Sequence, residues 1–195
     1  MNFELSEEQK MIQQSVERFV QENYDLPKRV ELSSQDPGYS KDYWNSMAEL
    51  GWLGLPFNEE DGGFGGNQID TLVIMEQFGK GLVLEPFLAN IVLGGGAIQM
   101  GGSEELKNEM LSSLIEGSKQ LALAYAEQQS RFDLEDVATS ARQEGDKYII
   151  NGQKSMVLNA ESADHIVVVA RTNGGQVDEE GITLFLVDSD SKGLE

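Results

Sequence analysis

Apolar residues recur at helical spacing through the first 117 residues, and beyond Gly117 the period shortens to two. Ser6-Glu7-Glu8-Gln9 reads as a capping box, with Ser6 as N-cap and Gln9 reaching back, and Glu7 and Glu8 suit the positive end of the helix dipole. Ile12, Val16, Phe19 and Val20 then make one apolar face, and Pro27 bars continuation, so this helix is expected to end near Tyr24. A polar linker with Ser33, Ser34, Pro37 and Gly38 leads to Ser40, the expected N-cap of a helix carrying Tyr43, Trp44, Met47 and Leu50. The glycine-rich stretch GWLGLPFNEEDGGFGG follows. A third helix is predicted over Ile69 to Phe78, stopped by Gly79 and Gly81, and a fourth opens with Pro86 at its first position. The fourth runs through Phe87, Leu88, Ile91 and Val92 into Gly94-Gly95-Gly96. Three glycines cost a helix about a few kcal/mol relative to alanine, which predicts either a break or a close approach of another backbone. Ser103 caps a fifth helix with Leu106, Met110 and Leu114 on one face, ended by Gly117.

Six segments after Gly117 read as strands: Leu121 to Ala126, Val137 to Gln143, Tyr148 to Ile150, Ser155 to Leu158, Ile166 to Ala170 and Ile182 to Val187. Gly145-Asp146 and Gly174-Gly175 separate some of them, and Asn151-Gly152 predicts a type I′ hairpin turn. Helices first and strands afterwards, with no βαβ alternation, predict an α+β fold. The expected division is an all-helical domain over residues 1–117 and an antiparallel, barrel-like sheet domain over residues 118–195.

Charge narrows the partners more than it narrows the fold. The net charge of −20 sets the surface against nucleic-acid phosphates and anionic lipid. No cysteine is present, which excludes disulfides, thiolate nucleophiles and zinc-thiolate sites. No window approaches the roughly 20 apolar residues of a membrane span, and the N-terminus has no signal-peptide pattern, so a cytoplasmic protein is expected.

Chemistry-bearing motifs are few. Gly62-Gly63-Phe64-Gly65-Gly66 precedes a helix but follows no strand and lacks Rossmann or P-loop spacing, so it reads as a turn that positions two helices. His165, the single histidine, has no partners at metal-site or triad spacing. Glu59, Glu60 and Asp61 read as a solvated loop, and Trp44, Trp52 and Phe57 as core. No metal site and no complete catalytic constellation is predicted from the residues alone.

Several segments in order carry a resemblance: LSEEQ, WNSMAELGWLGLPFNEEDGGFGG, GSEELKNEMLSSLIEG, AYAE, YIINGQKSMVLNAESAD and VVVART. Together they resemble the acyl-CoA dehydrogenases along essentially the whole chain. AYAEQQSRFDLEDVATSAR and KSMVLNAESAD resemble in particular the small subunit of a two-subunit member acting on a dicarboxylyl-CoA. The resemblance implies an FAD enzyme that oxidises the α and β carbons of an acyl-CoA, working as a homo- or hetero-oligomer, with its electron acceptor unspecified. It implies cofactor contacts at Tyr125, Ala126, Glu127, Phe132, Met156, Val157 and Leu158, and substrate contacts at Ser130 and Arg131. Four of these depart from the family pattern. Ala126 and Leu158 stand where threonines are usual, Phe132 where a serine is usual, and Met156 where an aromatic ring shields the flavin. Each lost hydrogen bond should weaken cofactor binding by about 0.5 to 1.5 kcal/mol. The sequence ends at Glu195 inside the sheet domain, so the family's C-terminal helical bundle and the base it carries are expected to be absent, and no catalytic residue is assigned. Two alternatives stay open: a non-catalytic partner subunit with an altered flavin pocket, and a free-standing binding module.

Overall fold

The computed structural model describes residues 4–195. Helix α1 spans Glu7–Asn23 and begins with the expected capping box: Ser6 Oγ accepts from Gln9 N at 3.1 Å, and Gln9 Oε1 accepts from Ser6 N at 3.0 Å. The segment read as a linker holds a helix, α2 at Leu26–Ser33. Pro27 does end α1, but it also fits the first turn of α2, where Asp25 caps Lys28 N at 2.7 Å. α3 (Lys41–Glu49) is capped by Ser40, and α4 covers Gln68–Gly81. α4 passes the expected stop at Gly79. A Cβ on Gly81 would lie 2.2 Å from Val20 Cγ1, so this glycine admits α1 close alongside, and Leu82 at φ 53° ends the helix.

No break interrupts the glycine triplet. A π-helical segment, Leu88–Gly95, runs directly into α5, Gly96–Gly101. Close approach is the reason for the glycines: a Cβ on Gly94 would sit 2.7 Å from Leu121 Cβ, and one on Gly95 would sit 2.5 Å from Phe57 Cζ. α6 follows at Glu104–Ile115 under its Ser103 cap. The earlier glycine cluster does position helices. Gly63 lies where a Cβ would be 2.2 Å from the Phe57 carbonyl oxygen, while Gly65 N and Gly66 N donate to Phe57 O and Leu55 O, each at 2.8 Å. Gly63→Ala should therefore destabilise the fold by about 2 kcal/mol, because main chain must move to admit the methyl. Urea unfolding followed by circular dichroism would measure this, and an unchanged midpoint would show that the loop yields freely.

Five strands complete the chain: β1 Leu121–Ala124, β2 Ser140–Glu144, β3 Lys147–Asn151, β4 His165–Arg171 and β5 Ile182–Asp188. The α+β order is as expected, but the sheet is mixed rather than antiparallel. β4 is central: β5 pairs antiparallel along one edge, while β1 and then the start of β2 pair parallel along the other. β3 joins β2 antiparallel, and among the described residues the strands do not close into a barrel. The hairpin turn also moves. It lies at Gly145-Asp146, with Gly145 at φ 63°, as a type II′ turn requires at its first central position. Asn151 instead ends β3, paired with Ser140, and Gly152 leaves room for Thr139, whose Oγ1 would be 2.4 Å from an added Cβ.

One core unites helices and sheet. Trp44, Met47, Trp52, Leu53, Phe57, Ile74, Phe87, Leu111 and Leu114 pack in a continuous cluster that includes Leu121 of β1 and Val167 of β4. The other face of the sheet carries a smaller cluster of Ala122, Ala124, Ala163, Ile166 and Val168. Strand alternation explains the division, since Val167 turns towards the helices and its neighbours Ile166 and Val168 turn away.

Candidate functional site

The buried end of β1 fixes the site. Asn90, fully buried in the π-helical segment, accepts from Leu121 N at 2.8 Å and donates to Lys119 O at 3.2 Å. Gln120 N meets Asp164 Oδ2 at 2.7 Å, and Asp164 N returns a bond to Gln120 O at 2.8 Å. The start of β1 is thereby tied to the helical layer through Asn90 and to the start of β4 through Asp164.

Beyond Ala124, residues Tyr125 to Glu127 run beside residues 154 to 159. Ser155 N donates to Ala126 O at 2.9 Å, and Asn159 Nδ2 donates to Leu121 O at 3.2 Å and to Gln120 Oε1 at 3.1 Å. Between those anchors Ser155 to Leu158 is not the strand that alternation predicted. Met156 and Asn159 take left-handed conformations, φ 51° and 65°, which no strand accommodates. The irregular backbone leaves the N–H groups of Met156, Val157 and Leu158 without a hydrogen bond among the described residues. Met156 is 88% exposed, and Leu158 and Tyr125 are exposed beside it in sequence or across the Ser155–Ala126 bond. The segment thus combines exposed apolar side chains with backbone amides that bond nothing else among the described residues.

Glu127 lies beneath that surface, 4% exposed. Its Oε1 is 2.6 Å from Lys154 Nζ and 3.0 Å from Thr139 N, and its Oε2 accepts from Gln129 Nε2 at 2.7 Å and Ala138 N at 2.9 Å. Burial alone would raise the carboxyl pKa, but the Lys154 ammonium and the hydrogen bonds from Gln129 and Thr139 bring it down to about 2. A carboxylate whose oxygens are already taken by an ammonium and three N–H donors is a poor proton acceptor.

The other residues singled out in the sequence range from buried to fully exposed. Phe132 is 99% exposed on the loop between Glu127 and β2. Ser130 is buried, and its hydroxyl accepts from Glu127 N and donates to Glu127 O, both at 3.1 Å, closing a turn. Arg131 follows at φ 51°, exposed. His165 begins β4 and places Nδ1 2.8 Å from Asp188 Oδ1 across the β4–β5 pair. Glu59, Glu60 and Asp61 form a solvated 3-10 turn. Lys154, which organises the site, carries no local signal in the sequence, since its partner Glu127 lies 27 residues away, and Asn159 likewise reaches Leu121 across 38 residues.

Comparison with known proteins places the whole chain in one family. The family described as acyl-CoA dehydrogenase, N-terminal domain, matches residues 6–118, and acyl-CoA dehydrogenase, middle domain, matches residues 122–195. The probable acyl-CoA dehydrogenase YngJ of Bacillus subtilis is 32% identical across all of this chain and 51% of its own length. The caffeyl-CoA reductase-Etf complex subunit CarC of Acetobacterium woodii is 30% identical over 97% of this chain and 50% of its own. Among solved structures, an FAD complex of PigA superposes with a TM-score of 0.85 at 28% identity, covering 99% of this chain and 51% of that one. The chain thus spans about half the length of the relatives it matches.

Proposed function

The chain belongs to the acyl-CoA dehydrogenase family, and from that premise we propose that it forms part of an FAD-dependent oxidoreductase that removes hydrogens from the α and β carbons of an acyl-CoA thioester. One observation carries the reading to this chain: Tyr125 to Glu127 and Met156 to Leu158 lie side by side, joined at Ser155 and Ala126. Their donor set fits an isoalloxazine ring. Free amides at Met156, Val157 and Leu158 would serve the polar edge, and the exposed side chains of Tyr125 and Met156 would cover the ring and exclude water. FAD, when bound, supplies the hydride acceptor. The exposed Arg131 provides a cation for anionic acyl-CoA in a strongly acidic protein, with Ser130 shaping its turn. No proton acceptor is assigned within residues 4–195. A homo- or hetero-oligomeric assembly in the cytoplasm completes the proposal; among the described residues, no helix is long and apolar enough to cross a membrane.

A second reading has its own support. Ala126, Phe132 and Leu158 offer no hydroxyl to a flavin, which favours a non-catalytic partner subunit in a heteromeric dehydrogenase with an altered pocket. Fluorescence titration of the purified chain with FAD tests both readings. Saturation near one FAD per chain supports the first. Ala126→Thr and Leu158→Thr should each then tighten binding by about 1 kcal/mol, roughly fivefold, if the restored hydroxyl reaches the cofactor. A chain that stays flavin-free, is not rescued by either threonine and co-purifies with a flavin-bearing subunit would establish the second reading instead.

A further inference from the structure

Three stretches of backbone converge on one buried ion pair. The Glu127 carboxylate closes the loop that begins at its own residue, accepting from Ala138 N and Thr139 N at the far end. Lys154 Nζ reaches Glu127 Oε1 at 2.6 Å and Tyr125 O at 3.3 Å, so one ammonium bonds both the side chain and the backbone of the Tyr125 to Glu127 segment. The residue after Lys154 makes the Ser155–Ala126 bond, and the next three carry the free amides. Gly152, just before, packs against Thr139 too closely to admit a Cβ. The two side chains are 2% and 8% exposed, whereas Met156, two residues along, is almost fully open. The charges therefore lie behind the open surface, bonded to backbone of the Tyr125 to Glu127 segment and of residues 138 and 139, with Gln129 the remaining donor.

We propose that Glu127 and Lys154 are positioning residues: their buried pair locks the two cofactor-binding segments in register from behind, without touching the cofactor. This rests on the FAD-site reading above, and it adds that the register of the two segments, more than the side chains on them, determines flavin affinity. A lock of this kind explains how a pocket lacking three hydroxyls could keep a defined set of backbone donors. Gln would keep an acceptor for only one of the Ala138 and Thr139 amides, which bond to different carboxylate oxygens, and would leave Lys154 a buried, uncompensated cation. Breaking the pair from the other side, Lys154→Met leaves Glu127 in the same position.

The test uses the whole chain and two independent readouts, FAD affinity by flavin fluorescence and hydrogen exchange of the Ala138, Thr139 and Ser155 amides without FAD. Glu127→Gln and Lys154→Met are each expected to weaken FAD binding by about tenfold, with the double variant no weaker than either, because one lock is opened in all three. At saturating FAD the variants should also lose the resolved shoulders of the bound-flavin visible spectrum, a sign of a mobile ring that a general loss of stability would not produce. Gln129→Ala removes only one exposed donor to Glu127 and should fold where the charge variants fail, with a roughly threefold loss of affinity. Wild-type affinity and spectrum in the folded variants would overturn the proposal. If the wild-type chain binds no FAD, the functional reading falls and exchange alone decides this one. Faster exchange at Ser155 in Gln129→Ala or Glu127→Gln supports the lock, and unchanged exchange overturns it.

Discussion

Arg171→Met should destabilise the protein by about 4 kcal/mol, the largest effect expected of any single substitution considered. Arg171 ends β4, 7% exposed, and among the described residues its guanidinium meets backbone carbonyls rather than a carboxylate. Nη2 shares its two N–H groups among Glu135 O at 2.8 Å, Gln176 O at 2.9 Å and Asp178 O at 3.0 Å. Nη1 donates to Glu180 O at 2.9 Å and Asn173 O at 3.5 Å, and Nε donates to Val137 O at 3.3 Å. One planar fork thus fastens the β4–β5 connection to the end of the loop that begins at Glu127. Methionine would fill much of the volume but leave these carbonyls to whatever water can enter. Lysine would restore a cation without the fork, and should recover less than half of the loss. Urea unfolding of both variants measures the sizes, and hydrogen exchange at Thr172 and Val137 shows whether the loop opens first. A loss below about 1 kcal/mol for Arg171→Met would mean that the carbonyls are already well solvated.

This network illustrates what the sequence leaves unwritten. Ser6, Ser40 and Ser103 announced their helices because a cap and its partner are three residues apart. Trp44, Trp52 and Phe57 announced the core through size and spacing. Arg171 and Glu127 act across gaps of up to 36 residues, and nothing local marks an arginine that will meet carbonyls or a carboxylate that will be buried. The same limit applies to the strands. Ser155 to Leu158 alternates like a strand, yet Lys154 and Asn159 hold it at both ends and force left-handed turns at Met156 and Asn159. Asn151-Gly152 has turn chemistry, but its glycine is needed for contact with Thr139, and the turn goes to Gly145. Parallel pairing of β1 with β4 was equally unreadable, since a short apolar run looks the same in either direction. Helix α2 is a different case: Asp25 and Pro27 together are a legible start, whereas Pro27 alone signals only the end of α1.

Stability should fall by about 3 kcal/mol between pH 4.5 and 7 through one carboxyl group, that of Glu85. Glu85 is 6% exposed at the approach to the π-helical segment. Its Oε2 accepts the Tyr24 hydroxyl hydrogen and its Oε1 accepts from Ser40 N at 3.1 Å, so it joins the end of α1 to the start of α3. Burial dominates its electrostatics and raises the pKa from 4.5 to about 7, against smaller opposing hydrogen bonds that include the Ser40 amide. The folded state then holds a proton that the unfolded chain releases above pH 4.5. Its contribution is complete below that value and declines by about 1.4 kcal/mol per pH unit until the folded group itself ionises near 7. Other carboxylates in so acidic a chain titrate over part of this range, so the comparison must be with Glu85→Gln, which keeps the shape and the acceptor but cannot ionise. Unfolding free energies at pH 5, 6, 7 and 8 should show the variant gaining on the wild type at each step to pH 7 and no further above it. A difference that does not change with pH would mean that Glu85 is already charged in the folded protein, with water or a cation reaching it between α1 and α3.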